Sequence, residues 1–534
     1  MTEHPEWIAY LLYVTDLTIR IGLSLRILMR GNTVGVTFAW MTMVLALPYL
    51  GALIYLLIGE HRLGGHRTDR ARSVIDLSRE WRRSLNEKFP GDAVELSDRF
   101  RPLNTQAHKI IGYPTQPGNA LTVLNDYQTI FRHLINDISQ ATDTCSLEFY
   151  IWESGGLADE LIDTVIAAHA RGVEFRILLD SVGSARFLKG KQVKMLREAG
   201  VNVVEALHVN PIKMLFQRAD IRNHRKIAVI DNRVAYTGSQ NLVDPRYFKQ
   251  DAGVGEWVDL MIRVEGPAVS VLNNVIAMDW SVEADAVDRF SASGISTDKV
   301  GDIPVQVVPS GPVFREGAIH ELIMSIIYKA RRELVITTPY FAPDEPLIEA
   351  LIAAANRGVH ITLVIPARVD SLMIRYAAPA LLDTLLNAGI QVAQYDQGLL
   401  HTKSITIDGE FCVVGSVNLD MRSLWLNFEI SLFIYDSDFT RQIRDLQMDY
   451  ISHSSFIDRE HFRQRTYPQR LAANIMRLFA PVLKAPIPRH GYESTGCGRR
   501  VHRKMFLHLC QVQQNRSKYT GSAAEQPMSN SVGN

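Results

Sequence analysis

Asn223-His224-Arg225-Lys226-Ile-Ala-Val-Ile-Asp231 and His401-Thr402-Lys403-Ser-Ile-Thr-Ile-Asp408 are two versions of one pattern. Each continues through a bend into a second apolar run, Val234-Ala-Tyr-Thr-Gly238-Ser239-Gln240-Asn241 and Phe411-Cys-Val-Val-Gly415-Ser416-Val417-Asn418. Both stretches match H-x-K-x4-D-x6-G-S-x-N throughout. β-Branched residues dominate the runs, and Asp231-Asn232 and Asp408-Gly409 stand at the bends, so each half reads as a β-hairpin.

The likeness extends upstream. Leu147-Glu-Phe-Tyr-Ile-Trp-Glu is followed by helical spacing over Leu157–Ala170 and then Arg171-Gly172-Val173-Glu-Phe-Arg-Ile-Leu-Leu-Asp180. Leu334-Val-Ile-Thr-Thr-Pro-Tyr-Phe is followed by Pro346–Ala355 and then Arg357-Gly358-Val359-His-Ile-Thr-Leu-Val-Ile-Pro366. Each reads as strand, amphipathic helix, glycine C-cap and a nearly all-apolar strand. Strands without polar alternation are buried on both faces, which predicts an α/β fold with a mixed sheet flanked by helices. A repeat distance of about 180 residues is too long for a solenoid and implies two fused copies of one domain.

Residues two apart on a strand share a face, so His224 and Lys226 point together, as do His401 and Lys403. Asp231 and Asp408 lie an odd step away, at the bend, and read as chiefly structural members of the catalytic motif. Covalent cleavage of a phosphodiester needs a nucleophile, an acid for the leaving alkoxide and positive charge on the non-bridging oxygens. Imidazole can fill the first two roles near neutral pH, and two lysines the third. Ser239, Asn241, Ser416 and Asn418, one strand over, are expected to complete a phosphate cradle. One motif holds half of this set, and two facing copies hold all of it.

Lys plus Arg equals Asp plus Glu at 57 each, so no net field draws the chain to nucleic acid, and a nuclease is disfavoured. Four cysteines in 534 residues are no disulfide framework, and Cys145 and Cys412 sit in apolar runs typical of buried thiols. The chain has no P-loop, GxGxxG, HExxH or GxSxG, and no cofactor or metal is expected.

Gly31 to Gly59 carries no charge, and Thr33–Ile58 is long enough to cross a bilayer as a helix. Trp7–Met29 is also apolar but contains Asp16, Arg20 and Arg26, of which Asp16 and Arg20 are spaced to pair on one helical face. Together these predict a transmembrane helical hairpin. Arg62, Arg67, Arg70 and Arg72 follow it, which places the rest of the chain in the cytoplasm by the positive-inside rule.

The paired motif resembles the signature of the phospholipase D superfamily, and the chain as a whole resembles the bacterial cardiolipin synthases. That likeness rests on Tyr150-Ile-Trp152, Asp220-Ile-Arg-Asn-His224, Tyr236-Thr-Gly-Ser239, Val243-Asp-Pro-Arg-Tyr-Phe-Lys-Gln-Asp251, Glu256-Trp-Val-Asp259 and Thr338-Pro-Tyr-Phe341, and covers about residues 7–483. The resemblance implies an inner-membrane enzyme that moves a phosphatidyl group between two phosphatidylglycerols, giving cardiolipin and glycerol. It implies His224 as nucleophile and His401 as general acid, although the motifs themselves are near-equivalent. Asp259 and Glu429 are expected to orient the histidines. Hydrolysis in place of transfer, and an inactive lipid-binding scaffold, are the competing readings.

The expected domains are a membrane hairpin at 1–60, a membrane-proximal linker region at 61–115, two phospholipase D-like domains at 116–300 and 301–483, and a disordered tail at 484–534. The tail holds Cys497, His502, His508 and Cys510, whose spacing fits no common zinc finger.

Overall fold

The structure is a computed structural model that describes residues 6–30, 34–59, 65–91, 94–208, 218, 220–284 and 294–460. The apolar stretch 471–483, the tail with its Cys and His residues, and Arg62 lie outside the described residues.

Fifteen strands form one mixed sheet with an internal two-fold pattern. From the middle outward, the first copy runs Gln116–Leu124, Met261–Glu265, Val234–Gly238, Lys226–Ile230, Thr144–Phe149, Glu174–Asp180, Asn202–Ala206. The second repeats that order as Ile303–Ser310, Glu429–Ile434, Phe411–Gly415, Ser404–Ile407, Glu333–Thr337, His360–Pro366, Gln391–Tyr395, and adds Ser454–Phe456 at the edge. The copies join where Gln116–Leu124 pairs antiparallel with Ile303–Ser310, Gln116 opposite Val305. The sheet is mixed in the same way in each copy. Thr144–Phe149 is parallel to Glu174–Asp180 and antiparallel to Lys226–Ile230; Glu333–Thr337 is parallel to His360–Pro366 and antiparallel to Ser404–Ile407.

All five residues of Lys226–Ile230 and all four of Ser404–Ile407 are buried, because helices cover both sides. Ile227 and Val229 face a core that includes Val271, Leu272 and Val275 of helix Ala268–Glu283, whereas Ala228 and Ile230 face the core of helices Tyr127–Ser139 and Leu157–Ala170. The expected helices stand at Leu157–Ala170 and Glu345–Asn356. Each ends in a glycine at left-handed φ, Gly172 at 106° and Gly358 at 88°, which turns the chain into the next strand. Asp231, Asn232, Asp408 and Gly409 all take positive φ (50°, 51°, 53° and 70°), the two-residue turn that matches strand twist.

Two features add to the expectations. Within 61–115, the described residues 65–91 and 94–115 pack on the folded body: helix Gly65–Lys88 packs on Ala268–Glu283 with Arg67 3.1 Å from Glu283, and Phe100, before helix Arg101–Ile111, stacks on Phe411 at 5.2 Å. The second apolar run is not one straight helix. It forms Val34–Ala46 and Pro48–Ile58, broken at Leu47, since Pro48 has no N–H for the carbonyl four residues back. The bend brings the Trp40 ring to 5.2 Å from Tyr55, residues that a straight helix would hold roughly 22 Å apart. Helix Glu6–Met29 is long and apolar enough over Trp7–Met29 to cross a membrane and packs against this bent pair. Its charges are met locally: Arg20 lies 2.7 Å from Asp16 and also donates to the Leu45 carbonyl.

Candidate active site

The two H-x-K segments enter the sheet from the same end, and each is locked there by backbone from the opposite copy. Asn223 bridges to Phe428, with His224 N–H donating to the Phe428 carbonyl at 2.9 Å. Leu399–Leu400 runs parallel to Trp257–Val258, with His401 N–H donating to the Val258 carbonyl at 2.8 Å. Phe428 immediately precedes Glu429, and Val258 precedes Asp259. The exchange therefore sets each histidine beside a carboxylate that the other copy supplies: His224 Nδ1 is 2.9 Å from Glu429 Oε2, and His401 Nδ1 is 2.7 Å from Asp259 Oδ1.

An ionised carboxylate only accepts, so each Nδ1 carries the proton and each Nε2 keeps its lone pair. Both carboxylates are fully buried, and burial alone would raise their pKa. The histidine, the lysines and a serine hydroxyl outweigh it and hold Glu429 and Asp259 below their ordinary values. Burial pushes His224 and His401 down to about 4, against the pull of those carboxylates. The resting histidines are thus neutral at pH 7, which suits a nucleophile.

Lys226 and Lys403 lie beneath the histidines, buried, each donating to the backbone carbonyl of its own motif histidine; the Lys226 bond is 2.6 Å. Burial lowers Lys226 to about 8 and Lys403 to about 7, against the nearby Asp259 and Glu429 carboxylates. Rings close the walls: Tyr150 stands 5.0 Å from His224, and Trp257 4.3 Å from His401. A cleft of about 1310 Å³ opens over the histidines, with both of them, Asn241 and Asn418 on its lining, and Lys226 and Lys403 are set behind that lining.

Not every expected site residue lies in the cleft wall. Ser239 Oγ donates to Asp259 at 2.6 Å and accepts from Leu260 N–H; Ser416 Oγ donates to Glu429 at 2.5 Å and accepts from Ile430 N–H. These serines hold the carboxylates, where the sequence suggested phosphate ligands. Asp231 and Asp408 sit at the far end of the hairpins. Asp231 accepts from the N–H groups of Thr142, Asp143 and Thr144, and Asp408 from those of Arg331, Arg332 and Glu333. They pin the turn to the adjoining strand, and no hydrogen bond joins them to the histidines among the described residues.

Other members were not singled out from the sequence. Arg225, wholly buried, donates to the carbonyls of Glu429 and Ser310 and pairs with Asp279, so it rivets the two copies behind the site. Asp180 accepts from Asn223 N–H at 2.9 Å and so seats the first motif. A carboxylate closing the apolar run Ile177-Leu-Leu179 was the available signal for Asp180. Arg225, between His and Lys, had none. Among the described residues, no group of three or more His, Cys, Asp or Glu is placed to hold a metal ion.

Comparison with known proteins shows the family. The family described as "Cardiolipin synthase, PLD-like domain" matches residues 134–265 and 323–448, one segment in each copy. Cardiolipin synthase A of Yersinia pseudotuberculosis serotype O:1b (strain IP 31758) is 41% identical over 465 residues, 86% of this chain and 96% of that protein, and Cardiolipin synthase A of Yersinia pestis matches equally. The crystal structure of phosphatidylserine synthase from Haemophilus influenzae Rd KW20 shares the fold at a TM-score of 0.52 and 14% identity, covering 72% of this chain and 99% of that one. With its duplicated motif, its exchanged carboxylates and this kinship over most of its length, the chain belongs to the phospholipase D-like cardiolipin synthase family.

Proposed function

We propose that the chain joins two phosphatidylglycerol molecules into cardiolipin and free glycerol through a phosphatidyl-histidine. The observation that carries this is the pair of buried histidines in one cleft, each with Nδ1 tied to a carboxylate and Nε2 free. In the first step His224 Nε2 attacks phosphorus, the bond from phosphorus to the glycerol oxygen breaks, and His401 delivers the proton to that oxygen. In the second, a glycerol hydroxyl of another phosphatidylglycerol gives its proton to His401 and attacks phosphorus, and the phosphorus–nitrogen bond breaks. Lys226 and Lys403 offset charge on the non-bridging oxygens throughout. The incoming phosphodiester is itself anionic, which favours the imidazolium that the acid step requires. No step calls for a nucleotide or a metal.

Membrane attachment suits a lipid substrate. We place the catalytic body on the cytoplasmic face, since Arg67, Arg70 and Arg72 follow the apolar segments. The helix at Trp7–Met29 and the bent pair beside it form the anchor.

The test is a product analysis. Membranes carrying the protein receive labelled phosphatidylglycerol without nucleotide, and lipids and water-soluble products are identified by mass. Cardiolipin with an equal amount of glycerol, lost in His224→Ala and His401→Ala, is the expected result. Phosphatidic acid and glycerol alone would mean that water takes the second step.

A further inference from the structure

The two halves of the cleft differ although the motifs match. Beside His401, Asp370 is enclosed at 9% exposure, accepting from Tyr340 Oη at 2.6 Å on one oxygen and from Lys249 Nζ at 2.9 Å on the other. Lys249 comes from the first copy and Asp370 from the second, so the pair closes across the cleft. Tyr340 stands edge-on to His401 with centroids 6.5 Å apart, and all four residues line the same cavity. A carboxylate has about four lone-pair sites, of which two are used here. Its partners keep Asp370 ionised: burial would raise its pKa, but Tyr340, Lys249 and His401 hold it below the ordinary value. Glu153, Asp220, Asp251 and Asp420 also line the cleft: Asp220 is paired with Arg218 at 2.5 Å, burial raises the pKa of Glu153, and Asp420 is occupied in capping helix Met421–Trp425 through Arg422 and Ser423 N–H, with its pKa raised by burial. The His224 half presents the guanidinium groups Arg222, 3.3 Å from Asp180, and Arg422, which donates to the Asp220 carbonyl.

We propose that Asp370, steadied by Lys249 and Tyr340, is the subsite for the alcohol that enters and leaves beside His401, and that it selects a vicinal diol over a simple alcohol or water. The inference rests on the transferase reading above, with His401 as the acid–base group. An ionised, enclosed carboxylate repels a second phosphate but accepts hydrogen bonds from neutral hydroxyls. A glycerol headgroup offers two: one hydroxyl gives its proton to His401 as its oxygen attacks phosphorus, and its neighbour donates to Asp370 without changing protonation. A simple alcohol has only the reacting hydroxyl, and water's second O–H sits on the reacting oxygen itself, so neither has a neighbouring hydroxyl to give Asp370. The diol is therefore held with its attacking oxygen already placed, and the phosphatidyl-histidine is passed to it before water.

The experiment uses the full-length protein in membranes with labelled phosphatidylglycerol, and adds either 1,2-propanediol or 1-propanol as competing acceptor. Four yields are read: cardiolipin, phosphatidic acid and the two phosphatidyl-propyl products. The wild type is expected to favour the diol. Asp370→Ala is expected to lose that preference by about tenfold or more, the factor for one hydrogen bond to a charged group, with phosphatidic acid rising and glycerol release continuing. Lys249→Met and Tyr340→Phe each remove one support but leave the carboxylate, and should keep most of the preference. An Asp370→Ala enzyme that still discriminates overturns the proposal. So does an equal loss in all three variants, which would make the cluster only a brace. A wild type that forms phosphatidic acid alone, with no transfer to any alcohol, is a separate outcome: it removes the transferase reading and the subsite with it.

Discussion

His401 donates through Nδ1 to Asp259 at 2.7 Å, although the two residues belong to different copies of the duplicated domain. The mirror pair, His224 with Glu429, does the same in the opposite direction. Neither copy holds a complete histidine site, so the duplication had to fold into a single continuous sheet for either motif to work. This explains why the joint is so heavily secured, by strand pairing and by the buried Arg225.

The exchange makes a crossed prediction. Glu429→Gln lies in the second copy but should disable the first copy's nucleophile, because an amide can also donate and no longer enforces the Nδ1–H tautomer. Activity should fall on the order of 10²–10⁴-fold with the fold kept, and no phosphatidyl-enzyme should form. Asp259→Asn should be as slow overall, yet it leaves His224 intact. Quenched-reaction mass spectrometry on labelled phosphatidylglycerol reads the difference; a covalent adduct in Glu429→Gln at wild-type level would sink the assignment.

The pH profile follows from burial. The free histidines are neutral above about 4, and the lysines are charged below about 7 (Lys403) and about 8 (Lys226). As pH falls through 4, His224 gains a proton and loses its lone pair. As pH rises through 7 to 8, the phosphate site loses positive charge. The kcat profile, which reports the complex in which the bound phosphodiester favours the His401 imidazolium, should therefore lie between these limits, and its alkaline limb should stand well below the 10.4 of an ordinary lysine. An alkaline limb near 10 would mean that the lysines titrate as if solvated.

Much of this was legible in the sequence for a physical reason. A hairpin is local, and its period, turn residues and polar spacing are written within about twenty residues, so both H-x-K strands and both Asp turns were readable. The pairing of His224 with Glu429 depends on which strands meet across the molecule, and spacing carries no record of that. The bond from Ser239 to Asp259 was unreadable for the same reason: its strand placed it near the site, but only the fold shows that its hydroxyl faces Asp259. The bend at Pro48 was visible as a proline in an apolar run, but membrane helices tolerate proline, so composition could not separate a straight helix from a broken one.

Asp231 and Asp408 should behave as stability residues. Asn tolerates positive φ, so Asp408→Asn keeps the turn and weakens only the acceptor for Arg331, Arg332 and Glu333 N–H and for Arg99. The expected loss is about 1–3 kcal/mol, with near-normal activity in the fraction that stays folded. The folded pKa of Asp408 is depressed, so its contribution is present above the unfolded carboxylate value of about 3.9 and disappears as pH falls through the lower folded value. Urea midpoints of wild type and variant should therefore converge in strong acid. A constant gap between them down to pH 2 would point to damage in the turn itself.

Arg225 makes the strongest stability prediction because burial leaves it no alternative partner. Its guanidinium donates to the Glu429 and Ser310 carbonyls and to Asp279, tying strands of the second copy to the helix Ala268–Glu283 of the first. Removing it by Arg225→Ala strands the Asp279 carboxylate, at 7% exposure, and two carbonyls, at a cost of about 3–5 kcal/mol. Arg225→Lys keeps the charge but reaches fewer of the three acceptors. The second copy has Thr402 at the equivalent position, so the rivet exists once, and Thr402→Ala should be far milder. Denaturant unfolding of the three variants, with cardiolipin yield at low denaturant, checks the order. If Arg225→Ala were no less stable than Thr402→Ala, the contacts behind the site would be dispensable, and the strand joint alone would hold His224 against Glu429.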